Sequence, residues 1–249
     1  MILPLKDGET LSQLFHINSE PWANAEAYRE AADYEVHYKE VASDEVVTLP
    51  TPEASWLLGL LSARSSCREY QLRSMALETL STILKCAYGI IRTAPMPKIG
   101  GAFYRTVPSA GGLFPLEVYA LAREVSGMTD GIYHYNVRSH SLELLREGSW
   151  FAELDQAMVS APFIFNANLI FFVSAVFKRS QKKYGPRGYR YILLEAGHIA
   201  QNLCLVAAEH KLASLCMGGY TDHLLNRFLG FDGIKEGVVY SVAVGYAKW

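Results

Sequence analysis

Three segments of the chain carry polar side chains in patterns that packing alone does not require. In the first, Arg64, Ser66 and Arg68 alternate directly after an apolar run. In an extended segment, residues at this spacing point the same way, and two guanidinium groups beside a hydroxyl suit a phosphate because guanidinium donates charge-assisted, bidentate hydrogen bonds. A solvated arginine-rich loop would have the same composition, so the segment alone leaves both interpretations open.

The second segment spans residues 104–115 and places two adjacent glycines, Gly111 and Gly112, after Pro108-Ser109-Ala110. Such glycines let backbone N–H groups approach a ligand closely. A tight turn into the following strand would use the same residues. On its own, the segment therefore indicates either a turn or a ligand-binding loop.

The third segment, residues 182–191, leads into the strongest helical pattern of the chain and contains four cations. Cations at a helix N-terminus oppose the helix dipole, which favours acids there, so either a bound anion or plain solvation must account for them. Lys183 directly precedes Tyr184. This pair predicts a phenol pKa lowered from about 10, because a nearby cation favours the phenolate.

Motifs for several other chemistries are missing from the sequence. It contains no GxGxxG, no GxxxxGK[ST] and no GxSxG, which argues against the usual dinucleotide fold, a P-loop and a serine hydrolase. Glu195 and His198 form one ExxH, whereas a di-iron bundle needs two. The remaining cysteine and histidine candidates lack zinc-finger or zinc-ribbon spacing: Cys204, His210, Cys216 and His223. We therefore predict no metal site and interpret the cysteines as core residues.

The elements that must position these segments mix helices and strands without a regular βαβ alternation. The periodicity predicts helices over residues 20–32, 76–88, 151–159, 187–211 and 221–228, and one that starts with Thr51 as N-cap and Pro52 as first residue and ends near residue 63. It predicts strands over 34–47, 116–123, 131–135, 141–145, 212–217 and 237–245, one within 163–177, and a loop over 92–112. This pattern indicates an α+β fold.

Composition and charge exclude several classes of protein. Of 249 residues, 50% are hydrophobic and 19% charged, which is typical of a globular chain. The 23 basic and 25 acidic residues nearly balance, which argues against a nucleic-acid carrier or a polybasic membrane binder. The most apolar segment, residues 163–177, is shorter than the roughly 20 residues of a membrane helix. With four scattered cysteines and no secretory leader, we expect a cytoplasmic protein.

Taken together, the motifs resemble one flavoprotein family over about residues 50–249. The first segment, Arg64-x-Ser66-x-Arg68-x-Tyr70, resembles the opening phosphate motif of the nitroreductase-like flavoproteins that bind flavin mononucleotide (FMN). The others are similar to the azoline dehydrogenase (SagB-type) branch of that family: residues 108–117, residues 183–190 followed by 194–202, residues 217–220 and residues 244–246.

The resemblance implies a nitroreductase-like fold with a central, mostly antiparallel sheet flanked by helices. It also implies a homodimer with FMN at the subunit interface. By position, Arg64, Ser66 and Arg68 would hold the phosphate and ribityl chain. The remaining flavin contacts would come from Pro108, Ser109, Ala110 and Gly112, and from the backbone of Gly218 and Gly219. Tyr184, supported by Lys183, would be the catalytic base.

The function implied is oxidation of a thiazoline or oxazoline to the thiazole or oxazole during peptide natural-product assembly. The substrate would be bound to a peptide or carrier, supplied by a cyclodehydratase complex or a nonribosomal synthetase. Two alternatives are an NAD(P)H-dependent reductase of nitro compounds, quinones or flavins, and a non-catalytic flavin-binding scaffold. Gly112 stands where many nitroreductases carry asparagine, which argues against the reductase. Residues 49–249 would form the FMN domain, and residues 1–48 an extension that docks a partner.

Overall fold

The structure, a computed structural model, describes residues 11–19, 38–94 and 102–248. The helices are α1 (Leu11–Asn18), α2 (Trp56–Ala63), α3 (Leu77–Tyr88), α4 (Phe151–Leu154), α5 (Ala161–Ile164), α6 (Phe177–Tyr184), α7 (Arg187–Glu209) and α8 (Asp222–Leu229). The strands are β1 (Tyr70–Gln71), β2 (Ile90–Ala94), β3 (Ala102–Arg105), β4 (Leu116–Ala122), β5 (Gly131–Asn136), β6 (Ser141–Glu147), β7 (Leu169–Val176), β8 (Ala213–Met217) and β9 (Glu236–Ala247).

The main sheet has seven strands, in the order β1-β9-β7-β4-β5-β6, with β8 also paired to β9. Every pairing between these named strands is antiparallel. The central strand β7 is buried on both sides, and its residues alternate between two cores: Phe171 and Val173 pack on one face, Ile170 and Phe172 on the other. This alternation follows from the two-residue period of a strand, and it confirms the predicted α+β sheet flanked by helices.

The long helix α7 covers one face of the sheet together with α3. Its apolar ridge, which includes Ile192, Ile199 and Leu203, is fully buried. By length and composition, α7 alone among the described helices would qualify as a membrane span, but half of its most apolar stretch is buried inside the protein. A buried stripe of this kind is typical of a core helix. The opposite face of the sheet is covered by the short helices α4, α5 and α8.

Two predicted helices differ clearly in extent from those in the structure. The helix expected to begin at Thr51 and Pro52 begins instead at Trp56, where Ser55 is the N-cap and its hydroxyl accepts a 3.1 Å hydrogen bond from the N–H of Leu58. Ser55 caps the helix because its hydroxyl accepts a hydrogen bond from a backbone N–H that has no partner within the helix. The helix therefore starts after Ser55 rather than at Thr51 and Pro52. The predicted helix over 151–159 ends at Leu154, and α5 follows separately.

Several elements were not predicted from the sequence, among them the helix α1 (Leu11–Asn18) and the strand β1 (Tyr70–Gln71). Part of the predicted loop over 92–112 is the antiparallel pair β2–β3. The helix α6 was not predicted because it is mostly charged and buries only Phe177 and Ser180. Of the two early predictions, the helix over 20–32 lies outside the described residues, and within 34–47 the described part has no strand.

Gly245 of β9 lies close to the backbone of the neighbouring chain segment. A Cβ there would lie 2.9 Å from the backbone N of Asn168 and 3.1 Å from the Cα of Ala167. Since neither neighbour can rotate away, Gly245→Ala is expected to lower the free energy of unfolding by about 1–3 kcal/mol, measured by urea denaturation. Gly59→Ala, where nothing lies within 4 Å in helix α2, is the control and should stabilise by up to about 1 kcal/mol. Equal stabilities for the two variants would contradict the packing described.

Candidate active site

The loop before β4 has the backbone that its glycines predict. Gly111 and Gly112 both have a φ of +64°, the left-handed region that favours glycine. The N–H of Gly112 closes the turn on the carbonyl of Ser109 at 3.0 Å. A Cβ at Gly112 would meet nothing within 4 Å, so this stretch of backbone is open to a ligand.

Ser109 ties this loop to the protein core. Its hydroxyl accepts a 2.9 Å hydrogen bond from the N–H of Phe114 and also bonds the carboxyl group of Glu195 on α7. Glu195 is buried and accepts a second hydrogen bond, 3.0 Å long, from the hydroxyl of Tyr88. Burial raises the pKa of Glu195, although these hydrogen bonds and the charge of Arg105 oppose the shift. The ExxH glutamate, which had no assigned role, therefore anchors the loop.

Lys183 and Tyr184, at the end of α6, lie against the same loop. A Cβ added to Gly111 would be 2.6 Å from the Tyr184 hydroxyl oxygen and 2.7 Å from Lys183 Nζ. The Nζ lies 5.2 Å from the centre of the Tyr184 ring, and the edge of that ring packs on Tyr191. The structure thus brings the second and third predicted segments together, and only glycine leaves room for them at position 111.

The Arg64–Arg68 segment follows α2 with extended backbone. Ser66 forms a bridge with Ser214 of β8, and the N–H of Cys67 donates a 3.0 Å hydrogen bond to the carbonyl of Ser214. Because side chains alternate along an extended chain, Arg64, Ser66 and Arg68 share one side of it, as predicted. Ser66 and Arg68 are exposed and Arg64 is half-buried.

Two cysteines that the charge of Arg64 reaches indicate where this segment lies. Cys204 of α7 and Cys216 of β8 have sulfur atoms 3.4 Å apart, and both are free thiols, which agrees with their interpretation as core residues. A hydrogen bond from Cys204 lowers the pKa of Cys216 to about 7, and the charge of Arg64 adds to the shift. The arginine segment is therefore placed near the C-terminal half of α7.

Gly218 and Gly219 link β8 to α8. Gly218 is exposed, a Cβ there would meet nothing within 4 Å, and it borders a pocket of about 170 Å³ together with Tyr189 and His16. The carbonyl of Gly219 accepts a 3.1 Å hydrogen bond from Val159. The backbone of Gly218 is thus not covered by any neighbouring side chain, whereas the backbone of Gly219 is hydrogen-bonded to Val159.

Within one protomer, the predicted residues form separate groups rather than one site. The Ser109 loop is attached to α7 at Glu195, whereas the arginine segment lies near Cys204. Nine residues separate these positions, or about 14 Å along the helix. No described contact joins the arginine segment to the loop or to Tyr184. The chain therefore brings the predicted catalytic pair, Lys183 and Tyr184, to the glycine loop, and leaves the predicted phosphate-binding segment apart from both.

The chemistry of these groups nevertheless fits FMN. Two guanidinium groups and a hydroxyl on one side of an extended segment match a phosphate. Gly112 and Gly218 provide backbone that no side chain covers, which suits the edge of a flat ring system. FMN is elongated, with its phosphate at one end and its ring at the other, so separate groups are what it requires.

A groove of about 990 Å³ extends from the glycine loop between β2, β3 and the start of β4. Its charged lining residues are Arg92, Arg105, Glu117, Arg138 and Arg179. Sequence reasoning assigned none of these a role. Arg105 lies inside the segment singled out at residues 104–115, but a single arginine beside a tyrosine gave no signal of its own.

Glu117 on the groove wall is held by two cations. It accepts hydrogen bonds from Arg179 and from His134 Nε2, while Nδ1 of His134 bonds Glu143 at 2.8 Å. Burial opposes ionisation of Glu117, but the bonds from His134 and Arg179 outweigh it and lower its pKa. The hydrogen bond to Glu117, aided by Glu143, raises the pKa of His134 above 6.5.

This network predicts a pH dependence of stability. The pKa of His134 is higher in the folded state than in the unfolded state. Its protonation therefore contributes fully to the free energy of unfolding below about pH 6.5, and this contribution is lost as the pH rises through the pKa of the folded state. Urea denaturation between about pH 6 and pH 8.5 should show the free energy of unfolding of the wild type falling more steeply than that of His134→Gln. His210→Gln, which removes an exposed histidine, should follow the wild type. Parallel curves for wild type and His134→Gln would contradict the network.

The comparisons with known proteins support a single family. Residues 61–246 match the Nitroreductase family. A nitroreductase-family protein of Methanocaldococcus jannaschii is 34% identical over 80% of this chain and 95% of its own. The microcin B17-processing protein McbC of Escherichia coli is 30% identical over 64% of this chain. The trifolitoxin-processing protein TfxB of Rhizobium leguminosarum is 32% identical over 53% of this chain. The chain matches only 57% of the length of McbC and 37% of that of TfxB.

The fold agrees with these relatives. A chain of the E. coli microcin synthetase McbBCD complex, solved with truncated pro-MccB17 bound, superimposes with a TM-score of 0.64 at 22% identity. The match covers 93% of this chain and 84% of that one. The mostly antiparallel sheet is therefore that of the nitroreductase fold. On these grounds the chain belongs to the nitroreductase family of oxidoreductases and, by its similarity to the peptide-processing proteins McbC and TfxB, to its SagB-type branch.

Proposed function

We propose that this protein is an FMN-dependent dehydrogenase that oxidises a peptide- or carrier-bound thiazoline or oxazoline to the thiazole or oxazole. The observation that carries the proposal is that the side chains of Lys183 and Tyr184 pack against the loop at Gly111. A phenol and an ammonium group beside a loop suited to a flavin ring support a role for Tyr184 as the proton acceptor for a substrate bound at that ring. The similarity to McbC and TfxB, both named for processing peptide products, supports the substrate class.

In this reaction one ring carbon loses a proton and its neighbour loses a hydride. Bound FMN supplies the hydride acceptor. The Tyr184 oxygen takes the proton, and the positive charge of Lys183 stabilises negative charge on that oxygen. Ser109, fixed by Glu195 and by the N–H of Phe114, holds the loop in place while the ring reacts.

We also propose that the protein is a homodimer in which FMN spans the subunit interface. In one protomer the arginine segment and the glycine loop lie apart, and a second protomer supplies the missing half of each site. Helix α2 buries none of its side chains, and Leu194 of α7 is 58% exposed. The exposed apolar residues of these two helices are Trp56, Leu57, Leu58, Leu61, Leu193 and Leu194. Such a surface is typical of an interface.

If the protein is such a dimer, a charged residue introduced on the exposed face of α7 should strongly weaken dimerisation. Leu194→Asp should raise the dimer dissociation constant about 100-fold or more, because each buried leucine contributes about 1.5–3 kcal/mol and two-fold symmetry counts it twice. Sedimentation velocity measures this, and bound FMN should fall in parallel. Leu145→Asp on β6, where the leucine is 50% exposed, is the control. A monomeric wild type, or a variant that stays dimeric, would refute the interface.

The partner and setting follow from the same proposal. A cyclodehydratase complex or a nonribosomal synthetase would supply the azoline, in the cytoplasm, and residues 1–48 would dock that partner. Within this extension, α1 is attached to the FMN domain: His16 Nδ1 lies 2.9 Å from the Tyr189 hydroxyl, and Gln181 donates a 2.8 Å hydrogen bond to Ser12. Of the described part of the extension, docking would then involve the exposed residues 38–48.

The test uses FMN-loaded protein and a synthetic thiazoline peptide, with the product followed by mass spectrometry. Loss of two hydrogens from the ring supports the proposal. The second candidate, an NAD(P)H-dependent nitro or quinone reductase, is favoured by the similarity to the M. jannaschii protein along nearly its full length. Rapid NADPH oxidation with a nitroarene, and no change in the thiazoline peptide, would establish that alternative.

A further inference from the structure

The groove of about 990 Å³ beside the glycine loop is strongly cationic. Of its described lining residues, four are arginines and one, Glu117, is acidic. Glu117 is already paired with Arg179 and His134. Among the described residues, Arg92, Arg105 and Arg138 form no salt bridge, although the charge of Arg105 acts on the buried Glu195 carboxyl. A concave surface with this excess of positive charge attracts anions.

Arg105 is held in a position ready to bind. Its guanidinium carbon lies 4.3 Å from the centre of the Tyr88 ring and 4.6 Å from that of Phe114, so the two rings fix the group. Yet, within the part of the chain that the structure describes, its buried Nε and Nη1 atoms have no hydrogen-bond partner, and neither has the Thr106 hydroxyl next to it. Buried donors of a charged group are costly to leave unpaired, so these atoms indicate a ligand.

The other two arginines surround the groove from separate elements. Arg92 on β2 stacks over the Tyr104 ring at 4.3 Å. Arg138 lies in the turn between β5 and β6, where its backbone N–H bonds the Asn136 side chain. Three cations on three elements suit several anionic groups along an extended chain better than one compact phosphate.

We propose that this groove binds carboxylate-bearing residues that flank the azoline in a peptide substrate, with Arg105, Arg92 and Arg138 as specificity-determining residues. The inference rests on the proposed function, since the groove adjoins the loop at which Tyr184 would act. A peptide whose ring lies at that loop would pass its neighbouring residues along the arginines. Acidic residues there would form charge-assisted hydrogen bonds with guanidinium groups.

Two thiazoline peptides that differ only in glutamate or glutamine beside the ring test the specificity. The wild type should prefer the glutamate peptide in kcat/KM by about tenfold, and Arg105→Gln, Arg92→Gln and Arg138→Gln should each reduce that ratio about three- to tenfold. Since Arg105 is partly buried, the exposed Arg138 provides a variant whose folding is not at risk. Arg227→Gln removes a charge from α8, outside the groove, and should keep the ratio. A wild-type ratio near one, or ratios unchanged in all three variants, would overturn the proposal.

A binding measurement separates this inference from the proposed function. A fluorescent acidic peptide without any azoline should bind the FMN-loaded protein with an affinity that falls with salt and with Arg138→Gln. If the acidic peptide binds in this way but neither thiazoline peptide is oxidised, the groove proposal is supported and the proposed reaction is refuted. Absence of binding would refute the groove. Phosphopantetheine and the unlabelled acidic peptide can also be compared as competitors of the fluorescent peptide. If phosphopantetheine displaces it at the lower concentration, the groove binds a carrier arm, and the carboxylate proposal is overturned.

Discussion

Replacing Tyr184 with phenylalanine is expected to lower kcat for azoline oxidation by about 10²–10⁴-fold, because the variant has no oxygen to accept the ring proton. The FMN content should not change, since the lost hydroxyl faces the loop at Gly111 and belongs to no predicted phosphate contact. Stopped-flow kinetics with a thiazoline peptide measures the rate, and the visible flavin absorption measures the FMN content.

The two adjacent lysines, Lys182 and Lys183, allow a matched comparison at the same site. Lys183→Met should also slow the reaction, since Nζ of Lys183 lies beside the Tyr184 ring. Lys182→Met removes an equal charge from an exposed neighbouring position and should not. A Tyr184→Phe variant that retains full activity, or equal effects of the two lysine variants, would remove the role proposed for this pair.

Removing both arginines of the first segment should have the second large effect. Arg64→Ala combined with Arg68→Ala is expected to weaken FMN binding about 100-fold or more, because each charge-assisted hydrogen bond contributes about 1.5–3 kcal/mol and tenfold corresponds to about 1.4 kcal/mol. Titration of the flavin-free protein with FMN, followed by flavin fluorescence, measures the affinity.

Riboflavin sharpens this test because it lacks the phosphate. Its affinity should be nearly the same for the wild type and the double variant, so the loss must be specific to FMN. Arg73→Ala is the matched control, since Arg73 stacks on the Tyr246 ring nearby and has no predicted phosphate contact. An equal loss of riboflavin and FMN affinity would show that the substitutions damage the fold rather than a phosphate site.

The fold was largely predictable where burial sets the residue period. The ridge of Ile192, Ile199 and Leu203 predicted α7 to within two residues at its C-terminus, and the long apolar run contains the central strand Leu169–Val176. Helix α6 was missed because it is short and charged and buries only Phe177 and Ser180, so its sequence carries no core-facing period.

The candidate site was predictable in its residue types but not in its arrangement. The sequence singled out Lys183-Tyr184 and the Pro108–Gly112 loop separately, but nothing in either indicated that a Cβ at Gly111 would collide with both side chains. The contact depends on how α6 folds back onto the loop. Likewise, Glu195 was visible only as half of an ExxH, since its partners Tyr88 and Ser109 lie about 107 and 86 residues away in sequence and meet it only in the folded chain.

Anaerobic mixing of the FMN-loaded protein with a stoichiometric thiazoline peptide tests the central claim most directly. The account predicts that the visible flavin bands bleach in a single turnover and that an equal amount of thiazole peptide forms, with Tyr184→Phe bleaching at least about 100-fold more slowly. Flavin bands that the peptide leaves unchanged, but that NADPH bleaches, would contradict an azoline dehydrogenase.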